Sequence, residues 1–328
     1  MLIFDNLLNE KKVLDFKNRI EITMEKIIII AAGAILGLVI LVLTAVSVYV
    51  ANLIAHPHII SLADETIFEK SKNMWRNYEE YPKEEYKIKS FDGYELNTIY
   101  IPAETPSDKY VIISHGYSGC RLGSVKYLHL FRELGFNAIM YDDRGHGTNA
   151  KSPCFMGFKE SRDLMKVIEH VYERFGDKII LGLHGESMGS ALTNNALQYS
   201  PKVDFIVSDC GYNDLQKLIG YLINRQIHFP KWCAVTAGFF SKLFYGYAFR
   251  EVSPIKYVST TTIPICFFHG EDDDFIPSCH AEEMHKACVN NYSELHIIPG
   301  AGHAASVITD ETAYKNIVKN FLMRINIL

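Results

Sequence analysis

Between residues 84 and 298 the chain repeats one pattern: a short apolar run, rich in Val and Ile and without polar alternation, then a stretch of helical periodicity. The runs fall at 110–114, 138–142, 179–183, 205–208, 265–268 and 295–298. A strand covered by helices on both faces must be apolar on both sides, so such runs read as strands of a buried parallel sheet. Ahead of them, 86–90 and 94–101 alternate about Asp92-Gly93, as a β-hairpin does. The pattern predicts an α/β chain with a mostly parallel, doubly wound, eight-stranded sheet.

What precedes the sheet is different. Residues 1–26 carry five acidic and five basic side chains and read as a polar or interfacial arm. Residues 27–55 contain no charge over 29 positions, enough at about 1.5 Å per residue to cross a ~30 Å hydrocarbon core. The apolar core of a cleaved signal peptide is about 7–15 residues, so this one reads as a single transmembrane helix. Lys12, Lys17, Arg19 and Lys26 lie on its amino side, against Lys70 beyond it. That bias predicts the amino terminus inside and the remainder extracytoplasmic. Residues 56–83, with Ile67, Phe68, Met74 and Trp75, read as a connecting amphipathic segment; His56 and His58 have no third ligand nearby and read as interface polarity rather than a metal site.

The folded domain is expected over 84–328, with one interruption. Over 212–252 strands give way to a helical, aromatic-rich passage containing Phe229, Trp232, Phe239, Phe240, Phe244, Tyr245, Tyr247 and Phe249. It reads as a small cap over the carboxyl ends of the strands, where open α/β sheets bind ligands. At 48% hydrophobic and 22% charged, 328 residues can bury one large core. A net charge of −5 without a basic run argues against nucleic acid as a partner. The seven cysteines are scattered, odd in number and lack C-x-x-C spacing, so they read as small buried hydrophobes.

Chemistry concentrates at strand ends. Gly185-Glu186-Ser187-Met188-Gly189 follows one strand and opens a helix, a G-x-S-x-G turn that thrusts a serine hydroxyl above the sheet edge. His115-Gly116-Tyr117-Ser118-Gly119 follows another and can aim backbone N–H groups into a site; with the residue after the serine, it makes Tyr117 and Met188 the expected oxyanion-hole amides. Of the acids in Glu271-Asp272-Asp273-Asp274, Asp273 is the one expected to face a histidine. His303, in a glycine-rich turn after the last strand, is the histidine placed to take a proton from the serine.

The order Ser187, Asp273, His303 stands with H-G-x-x-G, with Asp142-Asp143-Arg144-Gly145-His146-Gly147, and with H-G-x-x-D-x-x-I-P at 269–277. Together these resemble the α/β-hydrolase family, and within it the bacterial branch of serine aminopeptidase-like and monoacylglycerol lipase-like hydrolases. The resemblance covers about 84–328. It implies Ser187 as nucleophile, His303 as general base and acid, Asp273 as orienting carboxylate, Tyr117 and Met188 as oxyanion hole, and a loop-holding role for Arg144 to Gly147. Some members take the acid from the strand before the cap, which would be Asp209 here. The expected activity is hydrolysis of a small or lipid-like carboxylic ester through an acyl-enzyme, with no metal or organic cofactor. Amide or thioester cleavage on the same residues, and a non-catalytic binding protein of this fold, are the alternatives.

Overall fold

The computed structural model describes residues 2–328, with side chains from residue 12 onward. It divides into two compact units, Met1–Tyr49 and Val50–Leu328. Helix α1 runs without a break over Leu2–Ala55, so the charged arm and the uncharged stretch are one helix. Every side chain from 12 to 42 is exposed. The apolar window has a mean hydropathy of 3.0, and α1 is the one helix among the described residues that is long and apolar enough to cross a membrane.

The second unit is built on an eight-stranded sheet. The strands are β1 Glu84–Lys89, β2 Glu95–Ile101, β3 Lys109–Ser114, β4 Asn137–Tyr141, β5 Ile180–Glu186, β6 Phe205–Asp209, β7 Ile265–Gly270 and β8 Glu294–Ile298. Their order is β1-β2-β4-β3-β5-β6-β7-β8. β1 and β2 form the antiparallel hairpin, and β2 meets β4 antiparallel. All the pairings from β4 to β8 are parallel. Every residue of β4, β6 and β7 is buried, which is why those runs carry no polar alternation.

The sheet separates two apolar layers. On one face Phe131, Phe136, Phe205 and Phe321 pack with helix α3, Val125–Glu133, and the helix Glu311–Arg324. On the other, Leu164, Val167, Leu181 and Leu192 pack with α4, Glu160–Phe175, and α5, Met188–Ala196. Gly182 of β5 has no side chain because the Phe205 ring crosses it: a Cβ there would lie 2.0 Å from the ring.

Two further parts position the site. Helices α6, Leu215–Ile227, and α7, Cys233–Tyr245, occupy the interval between β6 and β7 where the cap is expected. Before β1, the end of α1 belongs to the folded unit, with Val50, Ala51, Ile54 and Ala55 buried and Cys154 N–H donating to Ala55 O at 2.8 Å. A short helix, α2, follows over Leu62–Ser71, its amino end capped by the Ser61 hydroxyl accepting from Asp64 N–H. It buries Glu65 and Glu69, four residues apart on one face.

Candidate active site

Ser187 joins β5 to α5 with φ +56° and ψ −116°, a left-handed backbone that an L-residue holds only under surrounding constraint. The constraint is close packing of backbone. A Cβ on Gly185 would lie 2.3 Å from the Gly189 carbonyl oxygen, and one on Gly189 would lie 2.2 Å from that of Ser114. Ser187 N–H donates to Asp209 O at 2.8 Å, and Ala191 N–H to Ser187 O at 3.0 Å. The serine is thereby locked at the carboxyl end of the central strand.

The loops after β7 and β8 meet it. His303 Nε2 is 2.9 Å from Ser187 Oγ, and His303 Nδ1 is 2.7 Å from Asp273 Oδ2. The approach depends on Gly270, where a Cβ would lie 2.3 Å from the Ala301 carbonyl oxygen. Asp273 is buried and its other oxygen accepts from Phe275 N–H at 3.0 Å and Ile276 N–H at 2.8 Å. Burial by itself raises this carboxyl, but hydrogen bonds from His269, His303 and Ile276 outweigh it and hold the group well below the usual carboxylate range. Glu271, Asp272 and Asp274 are exposed, and Asp274 pairs with Arg225 at 2.7 Å.

Asp209 lies elsewhere in the network. Its carboxylate accepts from Tyr127 OH at 3.2 Å and Ser306 Oγ at 3.1 Å, and burial pushes it up to about 6. Asp273, not Asp209, is the acid in contact with His303.

Tyr117 and Met188 line the same cavity as Ser187. Met188 is the first residue of α5, so its N–H belongs to the turn that has no intrahelical acceptor. A Cβ on Gly116 would lie 3.4 Å from Ser187 Cβ, which shows how closely the loop after β3 passes the serine. His115 holds that loop. Its Nε2 accepts from Asp143 N–H at 2.9 Å, so Nδ1 carries the proton and donates to Gly116 O at 2.8 Å. Burial lowers the His115 pKa and keeps the ring in that neutral form. The 142–147 loop is held in turn. The Asp142 carboxylate accepts from Arg121 N–H at 2.8 Å and Thr148 N–H at 3.0 Å, and Arg144 bridges Asp92 at 2.8 Å and Asp163 at 2.7 Å.

Two cavities open on the Ser187–His303 pair. One, of about 260 Å³, is apolar and is walled by Leu53 and Ile54 at the end of α1 and by Leu218, Ile219 and Leu222 of α6. Of the aromatics of 212–252, Tyr212 alone lines it; Tyr247 and Phe249 are buried, while Trp232, Phe239 and Phe244 face outward. The other, of about 310 Å³, is lined by His303, Gly116, Glu65, Lys126 and Glu186. A larger, open cleft of about 660 Å³ at Thr105 and Asp108 lies by the amino ends of β3 and β5, at the opposite edge from the serine. The walls from 53–54 and from Glu65 had no signature in the sequence beyond an apolar stretch and a short amphipathic helix; Glu186 stood out only as the serine's neighbour.

A serine elbow with a contacting histidine and carboxylate, at the carboxyl edge of such a sheet, defines the class of α/β hydrolases. A family model described as serine aminopeptidase, S33 matches residues 105–261, and one described as the dienelactone hydrolase family matches 236–320. The uncharacterized protein YqkD of Bacillus subtilis is 31% identical over 309 residues, covering 92% of this chain and 98% of its own. An uncharacterized membrane protein of Saccharomyces cerevisiae is 24% identical over 198 residues, 59% of this chain and 63% of that one. Among solved structures, the esterase Pf2001 of Pyrococcus furiosus superposes with a TM-score of 0.62 at 23% identity, over 78% of this chain and 93% of that one. The acylaminoacyl peptidase of Pyrococcus horikoshii superposes with a TM-score of 0.57 at 19% identity, over 74% of this chain and 41% of that one. The chain belongs to the α/β-hydrolase family.

Proposed function

We propose that this protein is a membrane-anchored serine hydrolase that cleaves carboxylic esters with an apolar acyl chain. The observation that carries the reading is the unbroken hydrogen-bond chain from Ser187 Oγ through His303 to Asp273. Asp273, ionised, holds Nδ1–H and leaves Nε2 free to accept the serine proton as Oγ attacks the ester carbonyl. The N–H groups of Tyr117 and Met188 stabilise the oxyanion that develops. When the tetrahedral intermediate collapses, the bond to the alcohol oxygen breaks and His303 passes the proton to it. Water then releases the acid from Ser187 by the same route.

The apolar cavity beside the serine supports an acyl chain as occupant. Membrane attachment is supported by α1 and by α7. Trp232, Val235, Phe239 and Leu243 recur at helical spacing and are each more than half exposed, an apolar stripe suited to a bilayer interface. The far end of α7 touches the end of α1, with Tyr245 OH donating to Asn52 Oδ1 at 2.9 Å. The charge bias about the span supports a catalytic domain outside the cytoplasm, and protection of that domain from protease on intact cells would reverse the orientation.

The decisive experiment is labelling by a fluorophosphonate probe. The wild-type chain is expected to label and Ser187→Ala to lose the label while keeping its folded circular dichroism spectrum. Labelling that survives in the variant would overturn the proposal.

A further inference from the structure

The polar cavity lies where the departing alcohol must be. His303 returns the proton to that oxygen, so the leaving group has to stand against the face of the site that His303 lines, while the acyl chain occupies the apolar side. The lining carries two glutamates, Glu65 and Glu186, and two lysines, Lys72 and Lys126. Glu186 Oε2 is engaged by Lys126 Nζ at 2.6 Å and by Tyr127 OH at 2.5 Å, so the one buried cation lining the cavity is already paired. Glu65 also lines the cavity, is only 6% exposed, and its Oε2 has no hydrogen-bond partner. Glu69, one turn further along the same helix, is fully buried with neither oxygen bonded, and burial pushes it up to about 7. Lys72 is the remaining cation of the lining; it is exposed, with its Nζ 5.6 Å from the Phe68 ring. His115 is neutral and hydrogen-bonded at both nitrogens.

A buried carboxylate oxygen without a donor is costly; burial raises the Glu65 pKa, and the charge of Lys126 offsets that only in part. Phe68 and Tyr117 line the same space, and aromatic rings attract cations. We infer that this cavity binds a positively charged leaving group, so that the preferred substrate is an acyl ester of a cationic amino alcohol. This rests on the serine-hydrolase reading and specifies its substrate. The reaction balances as ordinary acyl transfer: the Oγ–carbonyl bond forms, the bond to the amino alcohol's oxygen breaks, and that oxygen leaves with the proton His303 took from Ser187.

The test uses the full-length protein in detergent and two esters of one shape, butyrylcholine and 3,3-dimethylbutyl butyrate, in which a carbon replaces the quaternary nitrogen. The charged ester is expected to show a kcat/KM about tenfold to a hundredfold higher, and Glu65→Gln to bring that ratio towards one. In parallel, choline is expected to slow fluorophosphonate labelling of the wild-type serine while 3,3-dimethylbutanol at the same concentration does not. Equal kcat/KM for the two esters, or equal protection by the two alcohols where neither ester is turned over, overturns the inference and leaves the hydrolase reading standing. A wild-type chain that neither hydrolyses an ester nor takes the label overturns both.

Discussion

The two cavities that meet at Ser187 and His303 are built from opposite materials. The apolar one is walled by aliphatic side chains of α1 and α6, whose burial is favourable whether or not anything sits between them. The polar one is walled by ionisable groups of the Leu62–Ser71 helix, α3 and the elbow itself, and such groups are costly to bury until each has a partner. An apolar wall therefore selects by volume, whereas a wall with an unpartnered carboxylate selects by charge. The serine between them is common to both.

Variants that act on the shared centre should not distinguish the two sides. Ser187→Ala is expected to lower ester kcat by about 10⁴-fold or more for every acyl and alcohol combination, read with purified protein on a panel of esters. Residual turnover that depends on the alcohol would mean that the polar side carries its own nucleophile. Asp273→Asn should cost about 10³–10⁴-fold, because the amide no longer fixes the His303 tautomer. Asp209→Asn, whose carboxylate contacts Tyr127 and Ser306 instead, should change kcat less than tenfold. A reversal of those two magnitudes would reassign the acid.

A smaller effect should belong to one side alone. Leu222 lines the apolar cavity and is half-buried, so Leu222→Trp can fill space there without disturbing the core. Long-chain esters should lose about tenfold or more in kcat/KM while acetyl esters change by less than about threefold. Equal losses would show that the acyl chain does not occupy this cavity.

The smallest effect appears in stability rather than turnover. His184, beneath the elbow, is fully buried with its ring 3.9 Å from that of Tyr127, and burial together with the charge of Lys126 lowers it to about 3. Its folded pKa lies below that of the unfolded chain, so between about pH 6.5 and 3 the unfolded state binds a proton the folded state does not. Stability is then lost on acidification, by about 1.4 kcal/mol per pH unit for this group. Urea titrations across that range should be shallower in pH for His184→Gln by that amount; an unchanged slope would mean that the ring takes up its proton in the folded state.

Local chemistry was enough to place the strands. A run such as Val111-Ile112-Ile113 has to be covered on both faces, and the eight strands lie where those runs and the 86–101 hairpin predict them. The elbow was equally local, since Gly185 and Gly189 flank Ser187 within five residues and the clash each avoids is with backbone of the same turn or the adjacent strand. The aromatic passage at 212–252 packs its rings inward or faces them outward, Tyr212 apart, and α6 presents aliphatic side chains to the cavity beside the serine.

By itself the sequence determined the α/β sheet, the strand-end positions of Ser187, Asp273 and His303, and the apolar helix ahead of them, because periodicity, hydropathy and glycine spacing act over a few residues. Tertiary structure alone decided that Asp273 rather than Asp209 meets His303, that Leu53 and Ile54 wall the apolar cavity, and that Glu65, Lys126 and Glu186 share the other. Those three residues are about 60 positions apart from one to the next, and electrostatic interaction depends on distance in space, which no local pattern encodes.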